Sequence, residues 1–444
     1  MSDNMKVGII LGTRPEIIKM SQIIDELNNG EDEYVIIHTG QHYDIEMSKQ
    51  FFTDLKLPLP KYNIGIGSST AIQQISKIIS ELESILNEEK VDIVLVQGDT
   101  NAVLAGALAA NKLKIPVGHV EAGLRSFDKD MPEETNRIIA DNCSNLFFVP
   151  TKETAINLQN EGIHHRFIYV TGNTIVDACK RNLKIALEES NLSSLIDFEE
   201  YITLTLHRAE NVDNPERLEN IVNSLLNIRS NIVFPLHPHT RKSLENNGLY
   251  ERIANAEHIQ ITKPLGYLDF LYLLSKSKLI ITDSGGVQEE AITLNIPCVT
   301  LRYNTERPET ISAGGNILAG TDDREIRNNI ERILNNEEIY TSMSQAVNPY
   351  GDGKSSKRIL KIIRDNLRNK SIEIRHAEEI LDFKGYYMLE VTDDISVGEF
   401  EKRNKHHIIE QIFHENVPEL IEDSTNLKNK VVIVKEFNQN KEMI

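Results

Sequence analysis

Lys6-Val7-Gly8-Ile9-Ile10-Leu11-Gly12-Thr13-Arg14-Pro15-Glu16-Ile17-Ile18-Lys19 decides the fold of this chain. Lys6–Leu11 is apolar after its first residue, with no polar alternation, as in a strand buried on both faces. Gly12 ends the run, and a helical period opens over Glu16–Leu27. Strand, glycine turn and helix in that order start a parallel α/β unit. Working outward, Tyr34–His38, Asp92–Gln97, Val117–Val120, Leu146–Val149 and Ile168–Val170 read as further strands. Helix-period segments such as Ala71–Leu86 and Ala102–Lys112 separate them. The expectation is a doubly wound parallel sheet.

The pattern then restarts. Tyr201–Leu206, Ile232–Leu236, His258–Ile261, Lys278–Thr282 and Cys298–Leu301 read as strands, with helices such as Pro215–Ile228 and Val287–Thr293 between them. Two similar α/β domains are expected, over 1–172 and 173–369, joined near Gly172–Leu192 and facing a cleft. From about Lys370 the character changes. Residues 370–444 hold 16 acidic and 10 basic residues, about −6 net. Two segments there, YYMLEV and KVVIVKEF, look like strands, so a small α+β appendage is expected.

Composition narrows the function. The 444 residues carry a formal charge of −19, which argues against a nucleic-acid or anionic-membrane surface. A small phosphorylated ligand remains open, because a pocket can be locally basic. The three cysteines lie far apart, which excludes a disulfide scaffold or a Cys-based metal site and suits a reducing cytosol. No apolar run approaches the ~20 residues that span a bilayer.

Chemistry-bearing residues gather where strands end. After the first strand, Gly12 and a helix start offer backbone N–H groups to an anion, with Arg14 and Lys19 adding charge. The dinucleotide pattern GxGxxG is absent. Gln97-Gly98-Asp99-Thr100 closes another strand, and Asp99 and Thr100 serve equally as helix caps. Glu121, between apolar neighbours in His119-Val120-Glu121-Ala122-Gly123-Leu124-Arg125, reads either as an acid/base group or as half of a buried pair with Arg125. Pro132-Glu133-Glu134-Thr135-Asn136-Arg137 is a good helix start that explains one carboxylate better than two. In the second domain, His207 sits at a strand end beside Arg208. Ser284-Gly285-Gly286 leads from a strand into a helix, a phosphate-type cradle, with Glu290 one turn in and Arg307 after the next strand. Together these residues suggest a nucleotide-linked substrate with acid/base chemistry at its other end.

GTRPEIIK, QHYD, GDT, HVEAGLRS, PEETNR, the His207-Arg208 pair, DSGGVQEEA and TERPE, in that order over about residues 5–368, resemble the non-hydrolysing UDP-N-acetylglucosamine 2-epimerases. The resemblance implies two Rossmann-like domains of the glycosyltransferase-B type, the last helix of the second packing back on the first. It implies anti elimination of UDP to 2-acetamidoglucal and re-addition, interconverting UDP-N-acetylglucosamine and UDP-N-acetylmannosamine. Asp99, Glu121, Glu133 and His207 match the catalytic set. Arg14, Lys19, Arg137, Ser284, Gly285, Gly286, Glu290 and Arg307 match positions that hold UDP and the sugar. Gln41, His42 and His237 match a regulatory nucleotide-sugar site of bacterial members, although His239 stands where many of those carry Asn. The resemblance implies no cofactor and no metal, a homodimer, no nucleic-acid or membrane partner, and a cytoplasmic enzyme. Alternatives are the hydrolysing enzyme, an epimerase of a diacetamido-uronate, a glycosyltransferase and a non-catalytic nucleotide-sugar binder. The appendage lies outside the family pattern, and oligomerisation and partner binding are both open for it.

Overall fold

The computed structural model describes residues 4–40, 45–67, 69–372, 383–404, 407–414 and 417–437. The chain divides into two compact units, Met1–Thr174 with Lys354–Ile444, and Ile175–Gly353.

The first unit holds seven strands: β1 (Lys6–Leu11), β2 (Glu33–His38), β3 (Tyr62–Asn63), β4 (Ile93–Gln97), β5 (Val117–Val120), β6 (Leu146–Val149) and β7 (Ile168–Val170). They lie in the order β3-β2-β1-β4-β5-β6-β7, every neighbouring pair parallel. Ile9, Ile10, Leu11, Ile93, Val94, Leu95 and Val96 are fully buried, as the unalternating runs require. The order reverses between β1 and β4, so their carboxyl ends flank a crevice, the usual ligand position in such sheets.

The second unit repeats the plan with β8 (Ile202–Thr205), β9 (Ile232–Pro235), β10 (Ile259–Thr262), β11 (Leu279–Thr282), β12 (Cys298–Thr300) and β13 (Asn316–Leu318). Their order is β10-β9-β8-β11-β12-β13, again all parallel. Here the reversal falls between β8 and β11. The fold class expected from sequence is therefore present in both units. Strands β3 and β13, with two and three residues, are too short to leave a periodic signal.

Within the first unit, helix Ser355–Arg368 packs on helix Arg14–Asn28, and Arg364 Nε pairs with Asp32 Oδ2 at 2.6 Å. The C-terminal residues form an antiparallel sheet of β14 (Phe383–Val391), β15 (His407–His414), β16 (Val417–Glu419) and β17 (Lys430–Phe437), in the order β14-β17-β15-β16. With helix Val397–Arg403 the sheet encloses its own small core, which includes Val397, Ile409, Ile412, Leu427 and Val432. This tail docks on helix Lys152–Asn160. Gln159 Nε2 donates to the Ile421 carbonyl (3.5 Å), and the Ile421 N–H donates back to Gln159 Oε1 (3.2 Å). Leu420 packs on the cluster containing Phe147 and Leu158, and Arg166 pairs with Glu401 at 2.8 Å. The two tail strands read from sequence, β14 and β17, are adjacent partners.

Candidate active site

At the reversal point of the first sheet, two turns are tied together by one carboxylate. The turn after β1 passes so close to helix Asn101–Lys112 that a Cβ on Gly12 would lie 2.6 Å from Ala102 Cβ. Glu16 Oε2 accepts from the Gly12 and Thr13 amides (3.0 and 2.5 Å), and its Oε1 accepts from the Thr100 hydroxyl (3.0 Å). Burial pushes the Glu16 carboxyl up to about 7, although these donors oppose the rise. Thr100 caps its helix as expected, accepting from Val103 N at 3.4 Å. Sequence reasoning had given Glu16 no role of its own; its capping-box position, three residues past Thr13, was the available signal.

Glu121 ends β5 in the left-handed region, φ 68°, a strained conformation for a residue with a side chain. That turn sends its carboxylate back across the strand ends. Lys19 Nζ meets Oε1 at 2.8 Å and Oε2 at 2.5 Å, and Gln97 Nε2 donates to Oε2 at 2.6 Å. The pairing with Arg125 entertained from sequence is not formed. Arg125 instead binds Asp141 (2.8 Å) and Glu161 (2.6 Å). Lys19, expected to hold substrate, lies directly on the carboxylate expected to move a proton.

Asp99 is gripped by Arg137, while Asn136 Nδ2 donates to the Asp99 carbonyl at 3.0 Å. Arg137 also pairs with Glu134 at 2.5 Å, one turn back on helix Pro132–Cys143. Glu134 accepts from the Ser126 and Phe127 amides and the Ser126 hydroxyl. Burial alone would raise its carboxyl; those donors and Arg137 hold it below the usual carboxylate range. Its neighbour Glu133 points to the exposed side. The adjacent acids thus divide: Glu134 braces the helix start, and Glu133 is left accessible. Arg14 lies over the Phe51 ring, its guanidinium 5.5 Å from the centroid. Glu121 with Lys19, and Asp99 with Arg137, thus form two ion pairs at the ends of adjacent strands. Gln41 and His42 lie outside the described residues.

At the reversal point of the second sheet, Asp283 after β11 organises the end of β8. It accepts from the His207 amide (3.0 Å), the Arg208 amide (2.9 Å) and His207 Nδ1 (3.1 Å). Burial would raise the Asp283 carboxyl, but the His207 contact and these amides keep it lowered. A carboxylate at Nδ1 selects the tautomer with its proton there, leaving Nε2 as the working nitrogen of a half-exposed ring. His237 lies beside it, ring centroids 6.3 Å apart. Burial, then the charges of His207 and His239, keeps the His237 ring below its usual range.

Ser284 stands at the N-cap position of helix Gly285–Thr293, with no capping bond from its side chain. A Cβ on Gly286 would meet nothing within 4 Å, and one on Gly285 nothing nearer than 3.8 Å. Protein packing therefore does not demand these glycines, and the space before the helix N-terminus is open to an anion. Arg307 Nε binds Glu289 Oε1 at 2.6 Å, which anchors it beside this turn. Glu290 is buried: burial first, then its charge, pushes the Cys179 thiol and Tyr267 phenol up.

At the tail seam, His164, His165 and Glu401 bring ligand-type atoms within 4.8 Å of one another. The two rings stack, however, with centroids 4.3 Å apart and planes at 27°. Their in-plane lone pairs do not converge, and Arg166 already holds the carboxylate. Among the described residues no helix is long and apolar enough to cross a membrane.

Comparison with known proteins identifies the family. The family described as UDP-N-acetylglucosamine 2-epimerase matches residues 25–364. A Methanocaldococcus jannaschii protein named UDP-N-acetylglucosamine 2-epimerase is 51% identical over 367 residues, covering 81% of this chain and 99% of its own. A Pseudomonas aeruginosa relative named UDP-2,3-diacetamido-2,3-dideoxy-D-glucuronate 2-epimerase is 40% identical over 372 residues, 81% of this chain and 99% of its own. The crystal structure of the M. jannaschii epimerase in complex with UDP-GlcNAc and UDP is 51% identical with a TM-score of 0.71, over 81% of this chain and 99% of that one. With the family model matched over residues 25–364 and a relative 51% identical over 99% of its own length, the chain belongs to the UDP-N-acetylglucosamine 2-epimerase family.

Proposed function

We propose that this protein interconverts UDP-N-acetylglucosamine and UDP-N-acetylmannosamine by eliminating and re-adding UDP, without hydrolysis. The observation that carries the reading is Glu121, strained at φ 68° and held by Lys19 and Gln97 at the reversal point of the first sheet. Backbone strain clusters at functional sites, and here it aims a buried carboxyl group at a lysine and an amide. The M. jannaschii enzyme, named for this activity, is half identical along nearly its whole length.

The C2–H of the sugar is not acidic. It leaves only as the C1–O bond to UDP breaks, so a placed base and a stabilised leaving diphosphate must act together. In the forward direction a carboxylate of the set Asp99, Glu121 and Glu133 takes the C2 proton. The C2–H electron pair becomes the C1–C2 double bond of 2-acetamidoglucal, and UDP departs with the C1–O pair. UDP then adds back to C1 while C2 receives a proton on its other face, so two acid/base groups serve the two faces. Lys19 orients the Glu121 carboxyl group, and Arg137 that of Asp99. In the second unit, His207 Nε2, the helix start at Ser284-Gly285-Gly286, and Arg307 take the diphosphate, with Glu290 at the ribose end; Arg14, from the first unit, is a further cation for the nucleotide. The route is redox-neutral and calls for no hydride carrier.

The test is an NMR time course with UDP-N-acetylglucosamine in heavy water without added NAD. UDP-N-acetylmannosamine carrying deuterium at C2 is the expected product. Free N-acetylmannosamine with UDP would place the protein on the hydrolysing branch. No turnover, even with both nucleotide sugars present, followed by turnover of a diacetamido-uronate, would move it to the chemistry named for the P. aeruginosa relative.

A further inference from the structure

His119 is fully buried on β5, two residues before Glu121, and the reaction above uses neither it nor its partner Asp141. Its Nε2 stands 2.8 Å from the Gly98 carbonyl oxygen and its Nδ1 2.6 Å from Asp141 Oδ1. A carbonyl only accepts, so Nε2 carries a proton. Asp141 Oδ2 already accepts from Arg125 (2.8 Å) and from the Gly123 amide (3.3 Å). A carboxylate fixed in that way accepts at Oδ1 too, so Nδ1 also carries a proton. The charges then alternate along a chain, His119 plus, Asp141 minus, Arg125 plus, Glu161 minus, and cancel. Glu161, bound by Arg125 at 2.6 and 2.7 Å and 34% exposed, is where that chain reaches solvent.

We propose that His119 is a positioning residue that works as a buried imidazolium, pinning the Gly98 carbonyl, and with it the Asp99 turn, to the strand that carries Glu121. The proposal rests on the reading of Asp99 and Glu121 as proton-transfer groups. Gly98, at φ 82°, is the hinge of that turn, and its own amide donates to the Val120 carbonyl at 3.1 Å. The imidazolium thus closes a second bond between the ends of β4 and β5. Burial would lower the His119 ring's proton affinity; the Asp141 charge and hydrogen bond and the Gly98 carbonyl outweigh it, with Arg125 opposing. The remaining nearby cations are engaged elsewhere: Lys19 on helix Arg14–Asn28 binds Glu121, and Arg137 on helix Pro132–Cys143 binds Asp99 and Glu134. When the ring loses its proton at alkaline pH, either Gly98 or Asp141 loses its donor, and the Asp99 turn is released.

Histidine-selective 15N NMR on the whole protein, with His119 assigned by through-space contact to the Gly98 and Val120 amides, reads the ring directly. Both ring N–H protons should be present at pH 7.5, and kcat should fall as one of them is lost on raising the pH. Asp141→Asn can donate to Nδ1 of a neutral ring and keep the Gly98 bond, so its kcat should stay level through the same alkaline range. His119→Leu should lower kcat by about 100-fold, the scale of a misplaced reacting group, with KM within about three-fold. A merely structural histidine would leave the pH profile unmoved by Asp141→Asn. A ring with one proton at pH 7.5, or a kcat that holds while His119 deprotonates, overturns the proposal. If the wild type turns over no UDP-sugar, the proposed function fails, while the NMR result still decides the state of the ring.

Discussion

Gly123→Ala should cost the first unit far more than an ordinary glycine substitution. Gly123 sits at φ 77°, and a Cβ there would lie 2.3 Å from the Thr154 carbonyl oxygen and 3.0 Å from Leu158 Cγ. The left-handed conformation alone costs an alanine about 1–2 kcal/mol. A 2.3 Å approach to backbone cannot be relieved by a side-chain rotation, so β5 or helix Lys152–Asn160 must move, adding about 1–3 kcal/mol. Gly162→Ala is the matched control. It lies in the same unit at φ 85°, with nothing within 4 Å of the added Cβ, and carries the conformational cost only. At about 2–4 °C per kcal/mol for a unit of this size, calorimetry should show a loss near 10 °C for Gly123→Ala and about 4 °C for Gly162→Ala. Gly123→Ala should also weaken the amide's bond to Asp141 and loosen the Arg125–Asp141 pair. Equal losses for the two variants would refute the close approach of the strand-end turn to the helix.

Glu16→Gln should stabilise the protein at pH 8 by up to about 3 kcal/mol. The folded carboxyl, near 7, lies above its unfolded value of 4.5, so stability drains away as pH rises from 4.5 through 7. The gain should vanish at pH 4, and denaturant titration at the two pH values checks it. Glu121→Gln and His207→Asn should each cut kcat by at least about 100-fold while leaving the Kd for UDP within a few-fold, measured by steady-state kinetics and calorimetric titration; two near-wild-type turnovers would dismiss the site. Arg14→Ala should instead raise the Kd for UDP. Removing residues 371–444 should speed amide exchange in helix Lys152–Asn160, which loses Gln159's partner, and should leave the Glu121–Lys19 pair and turnover in place.

The runs that are apolar almost throughout, such as those at Lys6–Leu11 and Leu146–Val149, were legible because a strand buried on both faces leaves few polar residues to blur them. The reversal points followed, since the residues of interest fall where such runs stop. Partners were less legible. Arg125 lies four residues from Glu121, yet the left-handed turn at Glu121 sends the side chains to different partners, and Asp141 is supplied by a distant helix. Nor could sequence separate Glu133 from Glu134. One residue is 100° of helix, and only the Ser126–Phe127 loop shows which acid is taken inward. In the tail, β15 and β16 were missed between two readable strands, β16 being three residues long.

The contact between Gln159 and Ile421 separates two tasks inside one residue. Ile421 gives its backbone to the helix and its buried side chain to the hydrophobic core of the tail. Gln159, conversely, behaves as a single borrowed strand residue, its amide offering one donor and one acceptor as a peptide group would. Attachment and folding of the tail are therefore under separate control. Changes at position 421 that keep its bulk preserve both, whereas Gln159→Leu removes this pair of bonds and leaves the Leu420 contact and the Arg166–Glu401 pair to hold the seam. The hold on the tail is thus shared among a borrowed strand bond, an apolar contact and an ion pair, so that no single side chain carries it alone.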